Sequence, residues 1–401
     1  MIDMNKPLPL AGIRVVEFVH MVMGPTCGLV LGDLGADVIK VEPAPDGDNT
    51  RRIVGAGAGF YPYFNRNKRS LAIDLKHPDG RRAVARLIAT ADVVTENFRP
   101  GSMDALGLGY EPLKALNPRL IYGSLKGFLA GPYQHRSALD EVVQMMAGLA
   151  YMTGPPGRPL RAGTSVNDIM GGMFAAIAIM AALRERDRTG AGQMVTSSLY
   201  ENCAFLVGQH MAQEAVTGKP ATPMPQRVAA WAIYDIFETS DGGQLFVGIV
   251  TDTQWATFCE AFDRPDLKAD AVLSSNAKRV GERPRLMPIV GDIFKRHTKA
   301  ELAAICERIG LPFAPVSTPH DLFDDPHLNA SGGLLDVALP DGRRTKLPGL
   351  PMELDGQRLG LRLDAPTIGE HGREILAELG YAVSDIERMI ESKVIVTTQR
   401  G

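Results

Sequence analysis

The order of apolar and polar segments in the first 125 residues predicts an α/β sheet. Residues 13–18 and 37–42 are rich in β-branched side chains, and residues 25–34 between them carry helix formers that end before Gly35. A strand–helix–strand unit of this length predicts parallel strands joined by a right-handed crossover. The same pattern predicts a helix over 80–90 and strands over 92–96 and 120–124.

The second half of the chain predicts a buried helix and a smaller domain. Residues 171–186 (GGMFAAIAIMAALRER) are apolar on all sides until the terminal charges, which is typical of a buried helix. A strand over 194–197 and an apolar helix over 199–215 follow, and the Pro-rich segment 218–225 then predicts a linker. Further elements are a hairpin over 232–237 and 245–250 and helices around 253–263 and 284–309. We expect a smaller α/β domain at about 225–325, with the tail returning to the first domain.

Composition narrows the class of protein. Hydrophobic residues make up 45% and charged residues 22% of the chain, as in ordinary globular proteins, and the net charge of −3 argues against a general nucleic-acid-binding protein. The four cysteines share no metal or disulfide spacing, which favours reduced, buried thiols in a cytosolic protein. Residues 1–9 lack a signal-peptide core, and no apolar stretch of about 18 residues is free of charge or glycine. We therefore expect a soluble, cytoplasmic protein without a membrane partner.

Positive charge is concentrated in one stretch. Residues 51–82 contain eight Lys or Arg side chains and two acids. They form either a solvated basic face or a pocket for a compact polyanion such as a nucleotide phosphate. Three candidate residues, Asn97, Phe98 and Arg99, follow one predicted strand, and Lys126 follows another, where α/β sheets bind ligands. Together these groups indicate an anionic, partly aromatic ligand.

Several common chemistries lack their motif. The loop after the first strand has no G-x-G-x-x-G, so a dinucleotide cofactor is not encoded, and Glu42 is interpreted as a solvated acid at a strand end. No G-x-S-x-G elbow, H-E-x-x-H motif or cysteine cluster is present, which disfavours a serine hydrolase and a metal site. Asp168 precedes the apolar helix and is either a helix cap or a buried carboxylate nucleophile. In the second case we expect the helix dipole and free N–H groups to keep it ionised.

Ten segments in order along the chain resemble the family III coenzyme A transferases, the group that contains formyl-CoA transferase and carnitine CoA-transferase. Each segment is weak evidence by itself, but their order and spacing are specific and cover nearly the whole length. They are PLAGIRVVEF (9–18), LGADVIKVEP (34–43), NKRSLAIDLK (67–76), TENFRPGSMDALGLGY (95–110), NPRLIYGSLKGF (117–128), NDIMGGM (167–173), RTGAGQMV (188–195), GLPFAPV (310–316), DDPHL (324–328) and APTIGEHGREIL (365–376).

The resemblance implies an α/β fold with a Rossmann-like large domain, a smaller α/β domain and an interlocked homodimer. The large domain takes residues 1–205 and 335–401 and the small domain takes 225–325, with linkers at 206–224 and 326–334. The family's nucleophilic Asp falls on Asp168. The family's CoA contacts fall on Ile73, Lys76, Asn97, Phe98 and Lys126.

Some positions depart from the best-known relatives. Formyl-CoA transferase has Gln where this sequence has Val22 and Arg where it has Pro43 and Ala105, and its glycine-rich loop is replaced by 223–228. Formyl and oxalyl substrates are therefore not expected. The α-methylacyl-CoA racemases of the same fold use a His where this sequence has Leu139, so a two-base proton transfer lacks one base.

We therefore expect an acyl-CoA:carboxylate CoA-transferase that works through an aspartyl-CoA thioester, with CoA esters as substrates and no metal or permanently bound cofactor. Arg227 is either a clamp for a second carboxylate or a surface residue. If it is a clamp, the donor is succinyl-CoA or a related dicarboxylyl-CoA and the acceptor a C4–C6 dicarboxylate. The alternatives are a racemase-type isomerase and a non-catalytic acyl-CoA-binding protein.

Overall fold

The chain divides into two compact units. The computed structural model describes residues 7–227 and 229–398. The large unit combines the chain up to residue 225 with the chain from 326 onward, and the small unit is formed by 226–325.

The amino-terminal part of the large unit alternates strands and helices. The strands are β1 (Arg14–Phe18), β2 (Asp37–Pro43), β3 (Lys68–Ile73), β4 (Val93–Glu96), β5 (Ile121–Lys126) and β6 (Met194–Ser198). The helices are α1 (Met23–Asp33), α2 (Phe60–Phe64), α3 (Pro78–Ala89), α4 (Ser102–Ala105), α5 (Tyr110–Leu116), α6 (Asp140–Met146), α7 (Leu149–Thr153), α8 (Val166–Thr189) and α9 (Leu199–Thr217).

The small unit packs helices around a short antiparallel sheet. Its strands are β7 (Ile233–Glu238), β8 (Gln244–Ile249) and β9 (Phe313–Pro315), in the order β7-β8-β9. Its helices are α10 (Asp252–Ala261), α11 (Pro265–Ala269), α12 (Asn276–Gly281), α13 (Arg283–Phe294) and α14 (Lys299–Ile309). Buried aromatic rings, among them Trp255, Phe258 and Phe294, fill its core.

The carboxyl-terminal part of the chain completes the large unit. Its elements are α15 (Pro326–Ala330), β10 (Leu334–Ala338), β11 (Arg344–Pro348), β12 (Glu353–Leu354), β13 (Gln357–Arg358), α16 (Gly372–Glu378), α17 (Val383–Glu391) and β14 (Ile395–Val396). The main sheet has the order β14-β3-β2-β1-β4-β5-β6. Strands β1 to β6 pair in parallel, and β14 pairs antiparallel with β3 at the edge. The carboxyl ends of the parallel strands therefore share one edge of the sheet.

Helix α8 packs one face against the large unit. It begins at Val166, five residues before the apolar run starts, and its residues pack against α1, β5, β6 and α9. Its length and composition would also suffice to cross a membrane, but core helices of globular proteins have the same composition. One face of the helix packs into the large unit, but Met173 and Ile177 on it are exposed in the single chain, so the prediction of a helix buried on all sides is wrong.

The predicted linkers contain regular structure. Residues 206–217 continue α9, which ends at Thr217 because Gly218 adopts the left-handed conformation with φ of 68°. Residues 326–330 form α15. The extended Pro-rich stretch that follows Gly218 leads to the boundary between the units.

Candidate active site

Half of the eight basic side chains in 51–82 are paired with acids that lie elsewhere in the sequence. Arg66 and Lys68 are buried and bind Asp33 and Glu17, with N–O distances of 2.7 and 2.8 Å. Arg69 binds Asp37 and also Glu378 of α16. These cations are paired within the fold, because unpaired buried charges would be costly. For Arg66, Lys68 and Arg69, the predictions of a solvated basic face and of a polyanion pocket are therefore both wrong.

Glu42 is buried, contrary to the prediction of a solvated acid. It accepts two hydrogen bonds from the Arg51 guanidinium, at 2.8 and 2.6 Å, and one from Ser70 Oγ at 2.5 Å. Burial alone would raise the pKa of Glu42, but the bonds and charge of Arg51 hold this pKa below its usual value. Glu42 therefore fixes the end of β2 as an ionised anchor.

Two neighbouring cavities open at the carboxyl ends of the strands. The first has about 390 Å³ and is lined by Ile73, Lys76, Phe98 and Leu106, among others. The second has about 350 Å³. They share the wall formed by residues 41–44 and Phe98. Three predicted CoA contacts, Ile73, Lys76 and Phe98, thus line one cavity.

Asn97 and Lys126 are in neither lining, but they bind His20 and Phe98, which are. The Asn97 side chain donates to His20 O and accepts from His20 N, at 2.9 and 3.0 Å, which joins the loop after β4 to the loop after β1. Lys126 Nζ lies 2.6 Å from Glu96 Oε1 and donates to Phe98 O at 2.8 Å. Glu96 also accepts from Phe98 N. The Lys126 ammonium is therefore engaged by the protein itself.

Three other predicted residues, Arg99, Asp168 and Arg227, also lie outside the linings of these cavities. Arg99 is exposed beyond the end of β4 and is not part of either lining. Arg227 is partly buried and belongs to the small unit.

His20 is a further cavity residue, outside the set predicted from sequence. It lines the second cavity and meets the Phe98 ring edge to face, with 5.5 Å between the ring centroids. Burial lowers its imidazole pKa, and Lys40 adds to this, while Asp48 opposes it. The imidazole is therefore neutral at pH 7. A single His after a strand belongs to no sequence motif, so its place in the cavity could not be predicted.

Asp168 lies in the first turn of α8 and does not cap it. The N-cap position is Ser165, and the free N–H groups of Asn167 and Asp168 donate to Asp140 Oδ1, at 2.7 and 3.2 Å. Asp140 is a buried residue of α6. The cap is therefore supplied from another helix, and the Asp168 carboxyl is available for other chemistry.

The electrostatic environment of Asp168 is the reverse of the predicted one. Burial raises its pKa to about 7, the carboxylates of Asp140 and Glu141 add to this, and Arg161 opposes it. The expectation of a firmly ionised carboxylate is wrong because Asp140 takes the N–H groups that would have stabilised the charge. Near pH 7, Asp168 is poised between its two protonation states.

The two glycines after Asp168 allow α8 to approach α1 closely. A Cβ atom at Gly172 would lie 2.5 Å from Met23 O and 3.0 Å from Cys27 N, and one at Gly171 would lie 2.7 Å from Met23 Cε. Ile169, between Asp168 and the glycines, packs against a cluster that includes Val22. The start of α8 is thus fixed against the loop and helix that follow β1.

Comparison with known proteins gives the family. The model of CoA-transferase family III matches residues 10–372. A succinate–glutarate CoA-transferase of Agrobacterium fabrum is 36% identical over 94% of this chain and 98% of its own. A succinyl-CoA–D-citramalate CoA-transferase of Chloroflexus aurantiacus is 32% identical over 99% of this chain and 100% of its own. The crystal structure of a CAIB/BAIF family protein from Brucella suis covers 93% of this chain and 100% of that one, with a TM-score of 0.81 and 35% identity. The chain therefore belongs to CoA-transferase family III.

Proposed function

We propose that this protein moves CoA from succinyl-CoA, or a related dicarboxylyl-CoA, to a C4–C6 dicarboxylate, with Asp168 as the nucleophile. The observation that carries the proposal is the Asp168 carboxyl. It is only partly exposed, it has no structural duty as a helix cap, and its pKa of about 7 makes the ionised form an electron-rich nucleophile.

The reaction uses exchanges between acyl species of similar energy. The Asp168 carboxylate attacks the donor thioester, the C–S bond breaks and its electron pair leaves as the CoA thiolate, which leaves a mixed anhydride. The thiolate then attacks the aspartyl carbonyl of the anhydride. The donor acid leaves, and an aspartyl-CoA thioester remains. The acceptor carboxylate reverses these steps. Neither ATP nor a metal is needed for the balance.

We assign the two cavities at the carboxyl ends of the strands as the CoA site. Rossmann-like sheets bind their ligands at this edge. Lys76 is exposed at the rim of the first cavity and, among the described residues, no acid forms an ion pair with it, so its ammonium is available to a phosphate. Phe98, on the wall shared by both cavities, offers an apolar surface to the ligand. Lys126 acts by holding Phe98 in place, and Asn97 acts by holding the His20 backbone.

The two relatives described above support dicarboxylate substrates. Their names specify succinate or succinyl-CoA together with glutarate or D-citramalate, which are five-carbon dicarboxylates. A second carboxylate on the substrate requires a cation, and Arg227 is the residue that we propose for it.

We also propose an interlocked homodimer that works in the cytoplasm. Large apolar side chains are exposed on α6, α8 and α9, for example Met145, Ile177 and Phe205. Monomeric proteins rarely expose so many large apolar side chains, so these favour a contact with a second subunit. The described cysteines are buried thiols, as expected in a reducing compartment.

The deciding experiment traps the covalent intermediate. Wild-type protein incubated with succinyl-CoA and then with hydroxylamine should carry a hydroxamate at Asp168, detected by peptide mass. Asp168→Asn should remain folded, form no adduct and lose transfer activity by several orders of magnitude, since an amide cannot form the anhydride. Asp385→Asn, in the first turn of α17, is the matched control and should behave as the wild type. Full transfer activity in Asp168→Asn would refute the mechanism.

The acceptor is identified by the same enzyme preparation. Succinyl-CoA supplied with a panel of mono- and dicarboxylates should yield new CoA esters of dicarboxylates, seen by mass. Exchange of the α-proton of a 2-methylacyl-CoA with solvent deuterium, without acyl transfer, would instead support the racemase.

A further inference from the structure

The Asp140 carboxylate, near the nucleophile, accepts hydrogen bonds from three groups. Its Oδ1 accepts from the N–H groups of Asn167 and Asp168, and its Oδ2 accepts from Gln144 Nε2. Gln144 is fully buried, and its Oε1 accepts from Ala162 N at 2.8 Å. Asp140 and Gln144 therefore fix both ends of the segment 162–168 that delivers Asp168.

The charges around Asp168 come from two elements packed near it. Helix α6 contributes Asp140 and Glu141, and the loop before α8 contributes Arg161, which forms an ion pair with Glu141. Because Arg161 is largely satisfied by Glu141, the Asp140 charge is the one that is left close to the Asp168 carboxyl. Asp140 Oδ1 lies 3.2 Å from Asp168 N, and a like charge on so near a residue raises the energy of the ionised nucleophile.

We propose that Asp140 is a positioning residue of the transfer reaction. Its carboxylate holds the start of α8 by accepting from the N–H groups of that helix. Its charge destabilises the Asp168 carboxylate until Asp168 is acylated. The proposal rests on the proposed function. When Asp168 attacks the thioester, its negative charge passes to the departing sulfur as the C–S electron pair, and the repulsion between the two side chains ends. The strain is thus present in the free enzyme and absent from the anhydride and the aspartyl-CoA thioester.

The test is the pH dependence of a single acylation step. Excess enzyme is mixed with succinyl-CoA, and adduct formation at Asp168 is followed between pH 5 and 9 for wild type, Asp140→Asn, Asp140→Ser and Asp140→Glu. Asn and Ser keep an oxygen that accepts from the helix N–H groups but carry no charge, whereas Glu keeps the charge. Two uncharged variants are used because the Asn amide would present a donor to Gln144.

We expect the acylation rate of the wild type to fall on the acid side of about pH 7. In the Asn and Ser variants this acid limb should move by about one pH unit or more toward lower pH. At pH 5.5 these variants should acylate several-fold faster than the wild type. Asp140→Glu should keep the wild-type limb. A purely structural role would lower the rates without moving the limb.

The outcomes separate this inference from the proposed function. If the wild type forms an adduct but the limb of the folded uncharged variants stays within 0.3 pH unit or so of the wild-type limb, the positioning role of the Asp140 charge is overturned while the transfer mechanism stands. If the wild type forms no adduct at Asp168, the proposed function itself fails. Circular dichroism at each pH shows which variants are folded.

Discussion

At the scale of single residues, the raised pKa of Asp168 links catalysis to stability. Its pKa is 3.8 in a model compound and about 7 in the folded protein, so the folded state binds a proton more tightly than the unfolded state between these values. The contribution of Asp168 to stability should therefore fall as the pH rises from about 4 to 7. A partly buried charge that is useful for chemistry destabilises the fold.

Asp168→Asn removes this cost. We expect its free energy of unfolding to exceed that of the wild type at pH 8 by about 1–3 kcal/mol, allowing for screening by solvent. The difference should shrink as the pH is lowered through 7 toward 4, where the wild-type carboxyl is protonated in the fold. Urea unfolding at several pH values measures it. An Asn variant that is less stable at pH 8 would show that the carboxylate has a favourable structural role.

The ion pair between Lys126 and Glu96 gives a second prediction. Glu96 is 2% exposed and Lys126 is 18% exposed, so Lys126→Met leaves a buried carboxylate without its partner. We expect a loss of about 2–3 kcal/mol in the free energy of unfolding, together with weaker CoA binding. The double variant Lys126→Met with Glu96→Gln should recover most of the stability.

The measurement also tests the CoA contact that the resemblance implies for Lys126. If Lys126→Met weakened CoA binding but unfolded in urea as the wild type does, the ammonium would bind the ligand directly. Lys76→Met is the comparison, because Lys76 forms no ion pair with an acid among the described residues and its loss should affect binding alone.

Sequence predicted some residues of the site and could not predict others. Ile73, Lys76 and Phe98 were selected from motif position, and they line one cavity. Asp140 and Glu96 were not selected, because their importance comes from partners 27 and 30 residues away along the chain. A carboxylate that caps a distant helix has the same local sequence as one exposed to solvent.

At the scale of secondary structure elements, the packing of α8 on α1 depends on Gly172. Gly172→Ala places a methyl group 2.5 Å from Met23 O, where backbone must move. We expect a loss of about 2–3 kcal/mol in the free energy of unfolding and a large loss of transfer activity, since the start of α8 carries Asp168. The activity assay and urea unfolding are made on the same preparation.

The matched control is Gly291→Ala in α13, where a Cβ would have no atom within 4 Å. This change should stabilise the protein by about 0.5–1 kcal/mol, because alanine favours the helix. If Gly172→Ala had the same effect, the helices would not be in the close contact described here.

The strands β1, β2 and β4 each contain a pair of adjacent β-branched residues, which predicts a strand. Strands β1, β2 and β4 were predicted with ends within about one residue, whereas β3 was not predicted from its pattern. Lys68, Arg69 and Ser70 make β3 resemble an exposed loop, yet all three are buried. Their acidic partners come from β1, β2 and α16, and no local pattern shows such pairing.

At the scale of the whole molecule, the exposed apolar side chains are concentrated on packed helices of the large unit. Met145 of α6 is 53% exposed, Ile177 of α8 is 54% exposed and Phe205 of α9 is 71% exposed. These three helices contact one another. In water such exposed side chains favour association, and the proposed partner is a second copy of the chain.

The proposed interlocked dimer makes a prediction about dissociation that an ordinary dimer does not. Because threaded subunits can separate only after one of them unfolds, the dimer should persist at nanomolar concentration. Subunit exchange between two differently labelled preparations should be as slow as global unfolding and should accelerate with urea in parallel with it. Sedimentation and fluorescence energy transfer measure the two quantities. A folded monomer at nanomolar concentration, or exchange much faster than unfolding, would exclude interlocking, since neither is possible when the chains pass through each other.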